Sequence, residues 1–184
     1  VQASSEGGVR RIYTRTGDDI SHTFPDVLAA MSFEGTLDGE LLVRAEDGER
    51  VAPFNELQQR LNRKTVSKKQ MDARPAFIRA YDLLQDGDED VRQLSFRERR
   101  ERLEDFIAKT ASPRFDLSPL VPVTDLTALD AHRMEPPAPE IEGLMLKRWD
   151  SPYVPGRVKG HWYKWKRDPW LVDAVLLYAQ RGHG

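Results

Sequence analysis

The chain has 184 residues, with 28 lysines and arginines against 30 aspartates and glutamates, a formal net charge of -2. That length supports one ordinary domain with a buried core, and the balanced charge excludes a polybasic tail. Cysteine is absent and no apolar run reaches membrane-spanning length, which excludes disulfides, thiolate metal sites and cysteine catalysis, and leaves a cytoplasmic protein with no membrane partner as the expectation.

In chain order, "VRRIYTR" (9–15) predicts a strand and the following "TGDD" a turn. "FPDVLAAM" (24–31) predicts a short helix with Pro25 in its first turn. "TLDGELLVRA" (36–45) predicts a strand in which Gly39 marks a bulge or a close approach to a ligand. "PFNELQQRLNRK" (53–64) has Phe54, Leu57 and Leu61 at helical spacing. "PAFIRAYDLL" (75–84) predicts a buried strand and "QDGDED" (85–90) an acidic turn. Ser95 and Glu98 form a capping box that opens a helix over 96–109, with Phe96, Leu103, Phe106 and Ile107 inward and the charges in water. A second short helix is expected over 125–134, a stiff proline-rich loop over 135–140, and strands over 141–149, 161–167 and 170–180, with a loop at 151–160. Strands and helices without regular βα alternation predict an α+β fold with largely antiparallel sheets.

The cations are concentrated. Between Glu142 and Arg167 there are seven lysines and arginines and two acids, a local net of +5, so the remainder of the chain sums to -7. In "HWYKWKR" strand alternation puts Trp162, Lys164 and Lys166 on one face, and Tyr163, Trp165 and Arg167 on the other. Two ammonium groups about 7 Å apart repel, which suits either a solvated edge strand guarded by lysines or a clamp for polyphosphate. In "IEGLMLKR" the same alternation puts Glu142 with Leu144 and Leu146, and Lys147 with Gly143 and Met145; in "LDGELLV" it puts Asp38 and Glu40 together. Glu40 and Glu142 are either partners of nearby cations or hard-oxygen donors suited to Mg²⁺. The four histidines are dispersed and show no ligand spacing.

Five segments in order, "TRTGDD", "LDGELL", "AYDLL", "EGLMLKR" and "WYKWK", resemble the nucleotidyltransferase motifs Ia, III, IIIa, IV and V of bacterial ATP-dependent DNA ligases. "FNELQQRLNRK" and "RQLSFRERRERLE" resemble connecting segments of the same family, so the likeness covers essentially the whole chain. It implies an ATP-grasp-like nucleotidyltransferase domain with helices flanking the sheets and the nucleotide in a cleft between them. Sealing of nicked double-stranded DNA by a monomer that uses ATP and Mg²⁺ is implied with it. The family's first motif, K-x-D-G-x-R, which supplies the lysine that becomes attached to AMP, is not matched anywhere in these residues. The resemblance therefore implies a partial adenylation domain over 1–168, followed at 169–184 by a linker and the first strand of an oligonucleotide-binding barrel.

Carried over position by position, the resemblance gives Lys164 and Lys166 the catalytic and phosphate-binding role, and Glu40 and Glu142 the metal. Arg15, Glu40, Tyr81 and Lys147 join the two lysines in binding ATP; Tyr81 stands where the family has an aromatic stacked on adenine. Arg148, Arg157 and Lys159 are placed against DNA phosphates, although a solvated loop explains them equally well. An RNA ligase and a capping-type nucleotidyltransferase are alternatives because the motif skeleton is shared, and a non-catalytic nucleotide- or DNA-binding module is a third because the K-x-D-G lysine is not matched.

Overall fold

A computed structural model describes residues 1–184 except 62, 64, 157, 170, 172 and 181–184. The chain opens with the hairpin β1 (Gln2–Glu6) and β2 (Val9–Tyr13), then a single 3₁₀ turn and α1 (Pro25–Ala29). There follow β3 (Gly35–Val43), α2 (Phe54–Leu61), α3 (Lys68–Ala73), β4 (Ala76–Asp86), β5 (Glu89–Asp90), α4 (Phe96–Thr110), β6 (Phe115–Leu117) and α5 (Leu126–Met134). Two further strands, β7 (Gly143–Lys147) and β8 (Trp162–Lys166), complete the described elements. The main sheet runs β2-β1-β3-β4-β5, antiparallel throughout, with β6 added parallel to β4; β7 and β8 form a separate antiparallel ribbon. The α+β expectation holds.

Alternation builds the core. On β3 the odd positions Leu37, Leu41 and Val43 are buried, and Ile78, Ala80 and Leu83 of β4 join them. Val27 and Met31 from the α1 region, and Leu103 and Phe106 of α4, close this side. Each large apolar side chain buried there contributes about 1.5–3 kcal/mol relative to an exposed one. The even positions Asp38 and Glu40 look the other way, as the alternation predicts. Gly39 faces the core, and a Cβ there would sit 2.6 Å from Ile78 Cγ2 and 2.9 Å from the Arg79 carbonyl oxygen. The pairing shifts register between Asp38 and Gly39, so the expected bulge is present, but the close approach is to β4.

The capping box is present: the Glu98 amide donates to Ser95 Oγ at 3.3 Å, and the Ser95 amide donates to Glu98 Oε2 at 3.0 Å. The charges of α4 do not all stay in water, because Arg99 and Arg100 are buried, Arg99 against Asp82 of β4. The acidic segment 85–90 is a hairpin in which β4 runs to Asp86 and β5 returns. The helix expected over 53–64 ends at Leu61, and residues 62 and 64 lie outside the described ones. The strand expected over 170–180 is not formed among its described residues, which are irregular and exposed, Leu171 and Leu177 above 90 %. Isolated strands are not stable, and no described strand pairs with this segment. No helix among the described residues is long and apolar enough to cross a membrane.

Candidate nucleotide site

The site begins at an irregularity in the β3–β4 ladder. Asp38 pairs with Asp82 and Gly39 with Ala80, leaving Tyr81 as the extra residue of the bulge. Both Tyr81 and Asp82 thereby reach partners from other segments. The Tyr81 hydroxyl donates to Asp38 Oδ1 at 3.1 Å. Asp82, 2 % exposed, accepts from Arg99 Nε at 2.7 Å and Nη2 at 3.2 Å, and from Lys147 Nζ at 3.1 Å. A buried carboxylate is tolerable only with such compensation. Arg99 is fixed in turn by donating to the Ser151 carbonyl at 3.1 Å and to the Leu94 carbonyl.

Lys147 joins the two sheets. Its ammonium lies 4.9 Å from the centre of the Tyr81 ring and 4.5 Å from that of Phe96, within cation–π range of both. In the ribbon Lys147 pairs with Trp162, Met145 with Lys164 and Gly143 with Lys166. Directly opposed residues of an antiparallel pair share a face. Trp162, Lys164 and Lys166 therefore lie on the face of the ribbon that Lys147 turns toward Tyr81. Gly143, at φ 150°, lets the strands approach closely, since a Cβ there would meet the Trp165 carbonyl oxygen at 2.3 Å.

A shallow groove of 160 Å³ runs over this ribbon, lined by Glu142, Gly143, Leu144, Met145, Lys164 and Lys166. Lys166 Nζ lies 2.6 Å from Glu142 Oε2. That hydrogen bond and charge hold the Glu142 carboxyl below the usual glutamate range, with the charges of Lys164 and Arg167 adding to the effect. Lys164 is exposed and has no ion-pair partner among the described residues. On the main sheet Glu40 is exposed; its neighbour across the ladder, Arg79, is held by Asp116 at 2.8 and 3.0 Å and does not neutralise it. Burial, then the negative charge of Asp38, raises the Tyr81 phenol well above its ordinary range, and Glu40 adds to this, so Tyr81 is a neutral aromatic at every physiological pH.

The fold thus brings Glu40, Tyr81 and Lys147 to one sheet face and its bridge, and Glu142, Lys164 and Lys166 to the groove on the ribbon. Arg15 stands exposed in the turn after β2, and no hydrogen bond or ion pair among the described residues ties it to this cluster. Arg148 is exposed and engaged with Asp150, Nε to Oδ1 at 3.0 Å, and Lys159 is exposed in a turn; Arg157 lies outside the described residues. Asp82, Arg99, Phe96 and Tyr153 carry much of the arrangement and were not anticipated. One signal was available for Asp82: an acid amid the apolar residues of "AYDLL" faces a burial cost unless a cation meets it.

A curled, largely antiparallel sheet with flanking helices is the fold of the nucleotidyltransferase domains of ligases. The chain superposes on mycobacterial DNA ligase D complexed with ATP and MES with a TM-score of 0.66 and 27% identity, over 90% of this chain and 50% of that one. Chlorella virus DNA ligase–adenylate has the same fold, with a TM-score of 0.63 at 18% identity over 90% of this chain and 58% of that one. Residues 1–166 match the family model of the ATP dependent DNA ligase domain, and the chain belongs to that family. It is 30% identical to DNA ligase 2 of Haloquadratum walsbyi over its whole length, covering 30% of that protein. It is 32% identical to the probable DNA ligase of Koribacter versatilis over 95% of its length, covering 34% of that protein. The likeness therefore includes archaeal as well as bacterial ligases, and the chain spans about a third of the length of these relatives.

Proposed function

We propose that this chain is the nucleotide-binding core of a monomeric, cytoplasmic ATP-dependent enzyme that seals nicks in double-stranded DNA. The observation that carries the reading is the Lys147 bridge, which turns the lysine face of the ribbon toward the Tyr81 platform. Tyr81 offers a neutral ring to adenine, while Lys164 and Lys166 neutralise the phosphates as charge shifts in the transition state. Arg15 adds a cation at the nucleotide's edge. Lys147 acts from beneath the platform, since its ammonium is already held by Asp82.

The exposed Glu40 and the cation-flanked Glu142 are hard-oxygen donors, and two carboxylates with phosphate oxygens and water make a suitable Mg²⁺ site. When bound, the metal would polarise phosphoryl oxygens. Arg148, Arg157 and Lys159 are assigned to the DNA backbone, where each contact would add salt-sensitive affinity. The attacking amine of the family reaction belongs to K-x-D-G-x-R, which these residues do not contain.

The test uses α-labelled ATP. The chain is expected to bind ATP reversibly and to form no adduct that survives denaturation. Absence of binding at millimolar ATP, or a denaturation-stable, acid-labile AMP adduct on the chain, would overturn the reading.

A further inference from the structure

Asp38 lies two residues before Glu40 on the same face of β3 and receives a phenol on each oxygen. Tyr81 of β4 donates to Oδ1 at 3.1 Å, and Tyr153 donates to Oδ2 at 2.8 Å. Tyr153 comes from the loop between β7 and β8, 115 positions away in sequence. That loop is moored to the region around the start of α4. The Arg97 amide donates to the Trp149 carbonyl at 3.0 Å, and the Tyr153 amide to the Arg92 carbonyl at 2.8 Å. Arg99 donates to the Ser151 carbonyl at 3.1 Å. Gln2 of β1 reaches the Tyr153 hydroxyl at 3.5 Å. Tyr153 is thus itself well located, and what it holds is a carboxylate.

A phenol–carboxylate hydrogen bond is directional and charge-assisted. The terminal torsion of an aspartate is otherwise broad and roughly two-fold, and so is that of a tyrosine ring. With one oxygen tied to Tyr153, Asp38 cannot turn, and Tyr81 is then fixed at its hydroxyl by Asp38 and at its ring by Lys147. Removing the Tyr153 hydroxyl would therefore loosen the carboxylate on which Tyr81 depends, while leaving the ring packing of both tyrosines in place.

Resting on the nucleotide-site reading, we propose that Tyr153 is a positioning residue of the base platform: acting through Asp38, it fixes the plane in which Tyr81 presents its ring to the purine. Tyr153 touches no phosphate in this scheme, which separates its effect from that of Lys164.

The test compares two ligands, ATP and inorganic tripolyphosphate, by calorimetric titration of the chain in metal-free buffer, with thermal midpoints recorded for each variant. Tyr153→Phe is expected to weaken ATP binding about fivefold, the loss of a modest hydrogen-bond contribution, and to leave tripolyphosphate within about twofold of wild type. Tyr81→Phe cuts the same relay one link later and is expected to give the same pattern. The double variant is expected to be no weaker than Tyr81→Phe alone, because Tyr153 has nothing left to transmit. Equal losses for ATP and tripolyphosphate, additive losses in the double variant, or wild-type ATP affinity in Tyr153→Phe would each overturn the proposal while leaving the nucleotide site standing. Wild-type protein that binds neither ligand overturns the nucleotide-site reading and this proposal with it.

Discussion

Among the described residues, two arginine–aspartate pairs are shut away from water and behave differently. Arg60 of α2, 1 % exposed, grips Asp26 of α1 at 2.6 Å, donates to the carbonyls of Thr23 and Arg74, and lies over the Phe24 ring. Asp26 accepts a second cation, Arg114, which also donates to the backbone of β4. Every partner of that pair is scaffold. Arg99 and Asp82 are each 2 % exposed, and Asp82 shares its charge with Lys147, which lies against the Tyr81 ring. One pair ends in the fold, whereas the other runs through it to the candidate site. A buried ion pair is weak grounds for stability in itself, yet removing one member strands the other.

The largest effects should come from breaking these pairs. Asp26→Asn and Asp82→Asn are each expected to lower unfolding free energy by about 3–5 kcal/mol, read from denaturant midpoints. The folded protein should then separate them. Asp26→Asn should bind ATP as wild type does, whereas Asp82→Asn should lose about tenfold or more in affinity, because Lys147 and Tyr81 lose their common support. Equal ATP affinities in the two variants would abolish the distinction.

Next in size is Lys164→Ala, assayed for self-adenylation in a longer protein that carries this domain together with the K-x-D-G lysine. The rate should fall about 100-fold or more, with stability nearly unchanged or slightly raised, because Lys164 and Lys166 repel when no phosphate is bound. A wild-type rate would return "HWYKWKR" to an edge strand guarded by charge. Lys147→Met should be milder in a different way: it removes a cation from between two rings and leaves Asp82 with Arg99 alone. Loss of about 1–2 kcal/mol of stability is expected, with weaker binding of ATP than of tripolyphosphate. The smallest effect belongs to Glu142→Gln. The exposed Glu142–Lys166 pair contributes less than about 1 kcal/mol to stability, but freeing Lys166 should strengthen tripolyphosphate binding in metal-free buffer. Weaker binding there would contradict the assignment of Lys166 to phosphate.

The elements of the site were legible where one residue's environment follows from its neighbours in sequence. Alternation alone separated Asp38 and Glu40 from the buried face of β3, and placed Lys147, Lys164 and Lys166 on one side of the ribbon once β7 and β8 paired. The Ser95–Glu98 box was equally local. What sequence did not reveal depends on partners far along the chain. "RERRERLE" has the look of a solvated helix surface, and it is Asp82, seventeen positions earlier, together with the Ser151 carbonyl, that draws Arg99 inside. Tyr153 sits in a proline-flanked loop with no periodicity to mark it. The parallel pairing of β6 with β4 involves three residues, too few to carry a pattern, and α3 went unnoticed because its face is not strongly apolar. The strand expected over 170–180 shows the reverse error, since β-propensity without a paired neighbour does not make a strand.

The central claim is that the Tyr81 platform and the lysine ribbon form a single nucleotide site, joined by Lys147. Amine-selective acylation of the chain with and without ATP, mapped lysine by lysine by mass spectrometry, tests it most directly. Lys164 and Lys166 should react readily in the free protein and be protected by ATP, while Lys147, held by Asp82 and two rings, should react slowly in both states. ATP that leaves Lys164 and Lys166 unprotected, or that protects Lys68, Lys69 or Lys109 in their place, would contradict the account.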